Sequence, residues 1–205
     1  MNRLGDFIRI KHGYAFKGSG ITQTDSGKVL VTPGNFKLGG GFKDDKCKYY
    51  SLDDYPNEYV LKSGDIVVTM TDLSKESDTL GYGAYVPYSK NHIYLHNQRI
   101  GLVEIISDKI DKNFLYWLLR TPRYQKSIVA TQSGSVIHHT SPERIYDYQF
   151  ELPPLNVQVK IGRILNSYER KIELNNKINK NLRSYKYKDL IRHLPAKTCF
   201  CKAVA

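Results

Sequence analysis

The residues of this chain whose types suit catalysis are six histidines, a few strand-borne acids and three cysteines. His12, His92, His96, His138, His139 and His193 are spread along the sequence. None forms an H-E-x-x-H pair or a His/Cys/Asp set at metal-ligand spacing. The run "SGDIVVTMTD" (63–72) resembles the acidic strand of a nuclease through Asp65 and Asp72. No E-x-K partner follows it, and Lys75 comes three residues after Asp72, so no metal-dependent hydrolysis is assigned there. A Walker A sequence, a G-x-S-x-G elbow and a helix-opening G-x-G-x-x-G are all missing, as is an Asn-Pro-Pro-Tyr-like sequence for base methylation. Cys47, Cys199 and Cys201 are too few and too uneven for a disulfide framework or a zinc site. The expectation is a chain without catalytic residues, metal or cofactor of its own.

What remains is a set of polar, Gly-rich loops: "GNFKLGGGFK" (34–43), "TDLSKESDTLGYG" (71–83), "LHNQRIG" (95–101) and "TQSGSVIHHTS" (131–141). They carry side chains that hold phosphates and read base edges, Arg on guanine and Asn or Gln on adenine being the usual bidentate pairings. The candidate DNA contacts are Asn35, Lys37, Lys75, Tyr82, Gln98, Arg99, Ser135, His138 and His139. A plainer reading stands beside this one, since any α+β domain has polar loops. On that reading Gln98 and Arg99 cap the sheet internally, and His138 and His139 sit in a solvated turn.

Charge separates the chain into two parts. Residues 1–154 hold 19 Lys and Arg against 17 Asp and Glu, a net of +2, whereas residues 155–205 hold 12 against 3, a net of +9. A basic segment of this kind suits a polyanion such as nucleic acid, or is simply a solvated helix face. The 40% hydrophobic and 25% charged fractions are those of a globular protein. No apolar run approaches a membrane span and no secretory signal is visible, so a cytoplasmic protein is expected.

The elements that must position these loops read as mixed α/β over 1–152. Strands are expected at 29–36 (broken at Pro33-Gly34), 66–70, 80–88, in two pieces over 93–106, and at the close, 145–154. A short helix is expected near 52–59. The stripe Phe114, Leu115, Leu118 and Leu119 predicts a helix packed on a sheet, interrupted near Pro122 and then resumed. No regular βαβ period appears, so the fold class is α+β with a mixed or mainly antiparallel sheet.

After Pro153-Pro154 the apolar spacing becomes 3 and 4, which predicts a long helix with Asn156 as N-cap. At about 1.5 Å per residue, thirty residues make a rod on the order of 45 Å. Ile161, Leu165, Tyr168, Ile172, Asn175, Asn179 and Leu182 form a heptad seam, with Ile178 on the same stripe. Asn at seam positions costs stability but fixes register. An intermolecular coiled coil is expected, the alternative being a helix folded back on its own domain. The division is 1–152 for DNA reading, 153–190 for the helix and 191–205 for an irregular tail.

Six segments in order, "LGDFIRIKHGYAFKGSGI", "LKSGDIVVTMTD", "LHNQRIGLVEI", "NFLYWLLRTPRYQKSI", "TQSGSVIHHTSPERI" and "FELPPLNVQVKIGRILNSYERKIELNNKINKNL", resemble the specificity subunit of type I restriction–modification systems. Their order over residues 4–182, rather than any one motif, makes the resemblance specific. It implies a target recognition domain that reads one half of a split site in double-stranded DNA, followed by a helix that spaces and docks. The implied partners are the modification (methyltransferase) and restriction subunits, which would hold AdoMet, ATP and Mg²⁺. The usual subunit carries two recognition domains and two helical regions; this chain carries one of each. It therefore resembles a half-length form that a homodimer through the helix would complete. Residues 183–205 do not resemble the family's continuation. The alternative is a truncated relative that regulates the methyltransferase subunit without reading DNA.

Overall fold

The computed structural model describes residues 1–72, 74, 78–134 and 137–193, with side chains as far as residue 183. Its strands in the first half are β1 (Asn2–Arg3), β2 (Ile8–His12), β3 (Ile21–Thr22), β4 (Lys28–Val31), β5 (Lys48–Tyr50), β6 (Val60–Leu61), β7 (Ile66–Thr69) and β8 (Thr71–Asp72). There follow β9 (Gly83–Tyr85), β10 (Ile93–His96), β11 (Ile100–Ile105), helices α1 (Lys112–Leu118) and α2 (Pro122–Ala130), β12 (His138–His139), α3 (Pro142–Tyr146), β13 (Gln149–Phe150) and α4 (Leu155–His193).

Two sheets carry the fold. One is antiparallel, in the order β2-β11-β7-β9; the other is mixed, in the order β3-β5-β4-β10-β6, with β4 and β10 parallel. Period-2 alternation sends successive side chains to opposite faces and so decides which core each residue joins. In β7, Ile66 and Val68 pack with Ile8, Ile10 and Val103 against the α1–α3 side, while Val67 packs with Val29, Val31 and Ile100 between the sheets. A strand buried on both faces reads as an unbroken apolar run, which is why "IVV" shows no alternation. In β4 and β10, Leu30 and Leu95 point away from the inter-sheet core into a third cluster with Phe16 and Tyr50. Burying a side chain of this size contributes about 1.5–3 kcal/mol.

The helices start where short polar side chains accept from their first turns. The Asp111 carboxylate accepts from Phe114 N at 2.9 Å and opens α1; the Thr121 hydroxyl accepts from Tyr124 N at 3.3 Å and opens α2, with Pro122 in the first helical position. The break expected at Pro122 is therefore present, with Leu115 and Leu119 buried and Leu118 half-buried. Three expectations are corrected. The closing strand expected over 145–154 is reduced to β13, Gln149–Phe150, because Ile145 and Tyr146 end α3. No helix forms at 52–59, only a single 3-10 turn at Asn57–Tyr59, because Pro56 keeps the preceding backbone extended. And α4 begins at Leu155, one residue before Asn156: the Pro154 carbonyl already accepts from Val157 N at 2.9 Å and Gln158 N at 3.1 Å. Asn156 lies inside the helix, not at its cap.

The chain divides into two compact units, Met1–Gly162 and the part from Arg163 onward. The first two turns of α4 belong to the first unit. Gln158, completely buried, fastens them: its Oε1 accepts from Asp111 N at 2.8 Å and its Nε2 donates to the carbonyls of Lys109 (2.9 Å) and Pro153 (2.8 Å). Along the described part of α4 beyond Arg163, Tyr168, Ile172, Ile178 and Leu182 are exposed. No described helix is long and apolar enough to cross a membrane.

Candidate nucleic-acid interface

Three loops carry the candidate contacts, two of them joined at or next to the short strand β8 and the third lining a cleft with its Asp72. The first is the tight turn from β10 to β11. Asn97 shapes it: its carbonyl accepts from Ile100 N at 2.9 Å and its side-chain oxygen accepts from Arg99 N at 3.2 Å. Tyr14 holds the outer side, donating from its N–H to His96 O (2.8 Å) and accepting from Gln98 N (3.0 Å). Residue 13 must be glycine, since a Cβ there would stand 2.2 Å from Asn97 O. Gln98 and Arg99 are thus exposed on a turn that is fixed on both sides. No described residue pairs with either side chain.

Below the turn, His96 is completely buried; its Nε2–H donates to Ile100 O at 2.8 Å. Burial in apolar surroundings lowers its pKa to about 4, so the ring is neutral at physiological pH.

The second loop enters through β8. Met70 N donates to Arg99 O at 3.0 Å, and β8 pairs with β12 so that Asp72 faces His138 and Thr71 faces His139. His139 is exposed, with its Nδ1 3.2 Å from the Thr71 hydroxyl, whereas His138 is buried. Asp72 then organises the return. One carboxylate oxygen accepts from Ser74 N at 2.7 Å; the other accepts from both the N–H and the hydroxyl of Thr79 at 2.7 Å. Burial alone would raise the pKa of this carboxyl, but the donors from Thr79 and Ser74 outweigh it and hold the group ionised. Three donors of its own loop engage it, and no cluster of three metal-ligating side chains exists among the described residues.

The third loop, 33–43, faces that return. Asn35, 1% exposed, accepts from Thr32 N at 2.9 Å and donates to Lys43 O at 3.2 Å. Gly39, Gly40 and Gly41 all have positive φ (77°, 82° and 93°), a run that L side chains would strain. Arg120, in the turn after α1, grips this run. Its Nε donates to Gly39 O at 3.0 Å while its guanidinium lies over the ring of Trp117, 4.3 Å from the centroid. Lys37 and Leu38 stand exposed at the tip. A cleft of about 460 Å³ separates Lys37, Leu38 and Lys43 from Asp72, Asp78 and Thr79.

The structure therefore leaves Lys37, Gln98, Arg99 and His139 as exposed side chains: His139 on the strand paired with β8, Gln98 and Arg99 on a turn bonded to Met70 just before β8, and Lys37 on a loop bonded to Gly83 and Arg120. Asn35, Tyr82 and His138 are buried, which gives them a positioning place rather than a surface one. For Tyr82 burial also raises the hydroxyl pKa. Lys75 and Ser135 lie outside the described residues. Sequence reasoning missed the grip of Arg120 and the box built by Asp72; the three consecutive glycines were the one available signal for the former. Of the helix seam, Ile161 packs on the first core and Leu165 is half-buried, while Asn175 and Asn179 are exposed.

Comparison with known proteins assigns this arrangement. A family model described as the type I restriction modification DNA specificity domain matches residues 1–184. The chain belongs to this family. It is similar to the EcoBI type I specificity subunit of Escherichia coli (27% identity over 164 residues, 80% of this chain and 31% of that subunit). It is also similar to the MjaVIII specificity subunit of Methanocaldococcus jannaschii (28% over 191 residues, 91% of this chain and 43% of that subunit). The fold is shared with the crystal structure of the type I S subunit from M. genitalium, with a TM-score of 0.61 at 16% identity over 90% of this chain and 43% of that one. The HsdS subunit of Thermoanaerobacter tengcongensis shares it at a TM-score of 0.52 and 13% identity, over 86% and 38% of the two chains. The chain spans less than half the length of the curated relatives it matches.

Proposed function

We propose that this chain is a non-catalytic DNA-recognition subunit of a type I restriction–modification complex. It reads one half of a bipartite site in double-stranded DNA through Lys37, Gln98, Arg99 and His139, and it docks methyltransferase and restriction subunits. The observation that carries the reading is the presentation of exposed donor side chains on loops held by their own backbone hydrogen bonds, in a chain of the DNA specificity family. Rigid donors discriminate bases because their ordering entropy is lost on folding rather than on binding. The apolar stripe of α4, Tyr168, Ile172, Ile178 and Leu182, pairs with a second copy of the chain, Asn175 and Asn179 setting the register. Two-fold pairing would make the site two inverted identical halves.

The test is selection from a randomised duplex pool by the full chain with its methyltransferase subunit. Enrichment of an inverted bipartite sequence is expected. A chain that binds the methyltransferase subunit yet enriches nothing refutes DNA reading and leaves a regulator of that subunit.

A further inference from the structure

Leu38 is 71% exposed, on a loop whose other apolar side chains, Phe36 and Phe42, are turned inward. Single exposed leucines are ordinary. This one differs in how much structure holds it out. Lys37 N donates to Gly41 O at 2.9 Å, Gly40 N to Lys37 O at 3.0 Å and Gly41 N to Gly83 O at 2.9 Å. Phe36 and Phe42 form an antiparallel bridge across the base of the loop. Three positive-φ glycines tighten the turn, and Arg120 holds the Gly39 carbonyl from its place on Trp117. The tip cannot fold down to bury the leucine without breaking these bonds.

The surroundings indicate what covers it. Lys37 is exposed beside it, and Lys43, Asp72 and Asp78 line the same cleft. Asp72 is engaged by three donors of its own loop, and Asp78 accepts from the Ser74 hydroxyl at 2.9 Å. The carboxylates disfavour a phosphate beside them, and the exposed ammonium of Lys37 favours one next to Leu38. A protein partner would need more apolar area than one aliphatic side chain between cations. A stiff apolar tip with a cationic shoulder fits a base stack, where the lysine meets the backbone and the leucine enters between neighbouring pairs.

We propose that Leu38 is a wedge that inserts at one base step of the recognised half-site, unstacking it locally. This rests on the DNA reading above and adds an element to it: specificity at that step comes from deformability, which favours a pyrimidine–purine step.

The experiment uses the full chain with its methyltransferase subunit and the selected duplex, carrying 2-aminopurine at successive positions outside the base that is methylated. Wild type is expected to raise fluorescence at one step, and Leu38→Ala to abolish the rise and weaken binding about 10-fold. An abasic site at that step should restore the affinity of Leu38→Ala, and Leu38→Met should behave as wild type. Leu38→Ala that binds as tightly as wild type with the same fluorescence overturns the wedge and leaves the DNA reading intact. Loss of methyltransferase-subunit association in Leu38→Ala overturns it in favour of a protein contact. Wild type without any sequence preference overturns the DNA reading itself and the wedge with it.

Discussion

Replacing Gln158 by leucine tests how the recognition unit is closed around the start of its helix. The side chain is nearly isosteric, so the change removes three hydrogen bonds without opening a large cavity. Asp111 N–H and the carbonyls of Lys109 and Pro153 each lose a partner. A buried polar group left unpaired costs about 1–3 kcal/mol. Lys109 is exposed and Asp111 and Pro153 are half-buried, so water recovers part of each loss. The expected net destabilisation is about 3 kcal/mol. With a urea dependence of about 2–3 kcal/mol per molar, the midpoint should fall by about 1 M. The single tryptophan, Trp117 in α1, reports on the first unit alone, so the melt can be followed by its fluorescence. Gln158→Glu should cost more, because it keeps the acceptor for Asp111 N but sets a charge against two carbonyls. A Gln158→Leu midpoint within about 0.3 M of wild type would refute the claim that these bonds close the unit.

Three further outcomes follow from other groups. His96 is held neutral with a pKa near 4 against an ordinary value of 6.5, so the unfolded chain takes up its proton first as pH falls. Its contribution is present above pH 6.5 and is lost between 6.5 and 4, by about 3 kcal/mol in all. His96→Asn should flatten that part of the stability–pH curve in urea melts, and an unchanged slope would contradict it. Asp72→Asn should destabilise the first unit by about 2 kcal/mol, since a carboxamide cannot accept all three donors from Ser74 and Thr79; selected-duplex binding in a mobility shift should fall with it. Ile172→Asp, 60% exposed in the single chain, should leave folding unchanged and weaken self-association at least about 100-fold by sedimentation, through a charge set in the seam.

Sequence reading located the elements where one physical rule dominates. The apolar run at 66–70 marks β7, Phe114 to Leu119 marks α1, Pro122 marks the break before α2, and spacing of 3 and 4 marks α4. It misplaced the start of α4 because an N-cap preference for Asn was weighed without the Pro154 carbonyl, which supplies the first helical bonds. It was silent on the parallel pairing of β4 with β10, a contact between residues more than sixty apart. At the site, side-chain type picked out polar loops but did not separate exposed side chains from those that hold the loops. Lys37 and Asn35 are two residues apart, yet one is exposed and the other is spent on Thr32 and Lys43. Which role a polar residue takes depends on the donors the fold brings to it, and those come from distant segments.

The three loops share one way of being built, and it bears on how this surface could change. Asn35, Asp72 and Asn97 each shape a backbone turn with a short amide or carboxylate, while Lys37, Gln98, Arg99 and His139 stand outside those bonds. Exchanging a holder removes bonds that shape its loop; Lys37, Gln98 and Arg99 can be exchanged without that loss, whereas His139 also meets the Thr71 hydroxyl. If they read bases as proposed, a saturation library at Lys37, Gln98 and Arg99 should keep nearly every member folded while dispersing its binding preferences.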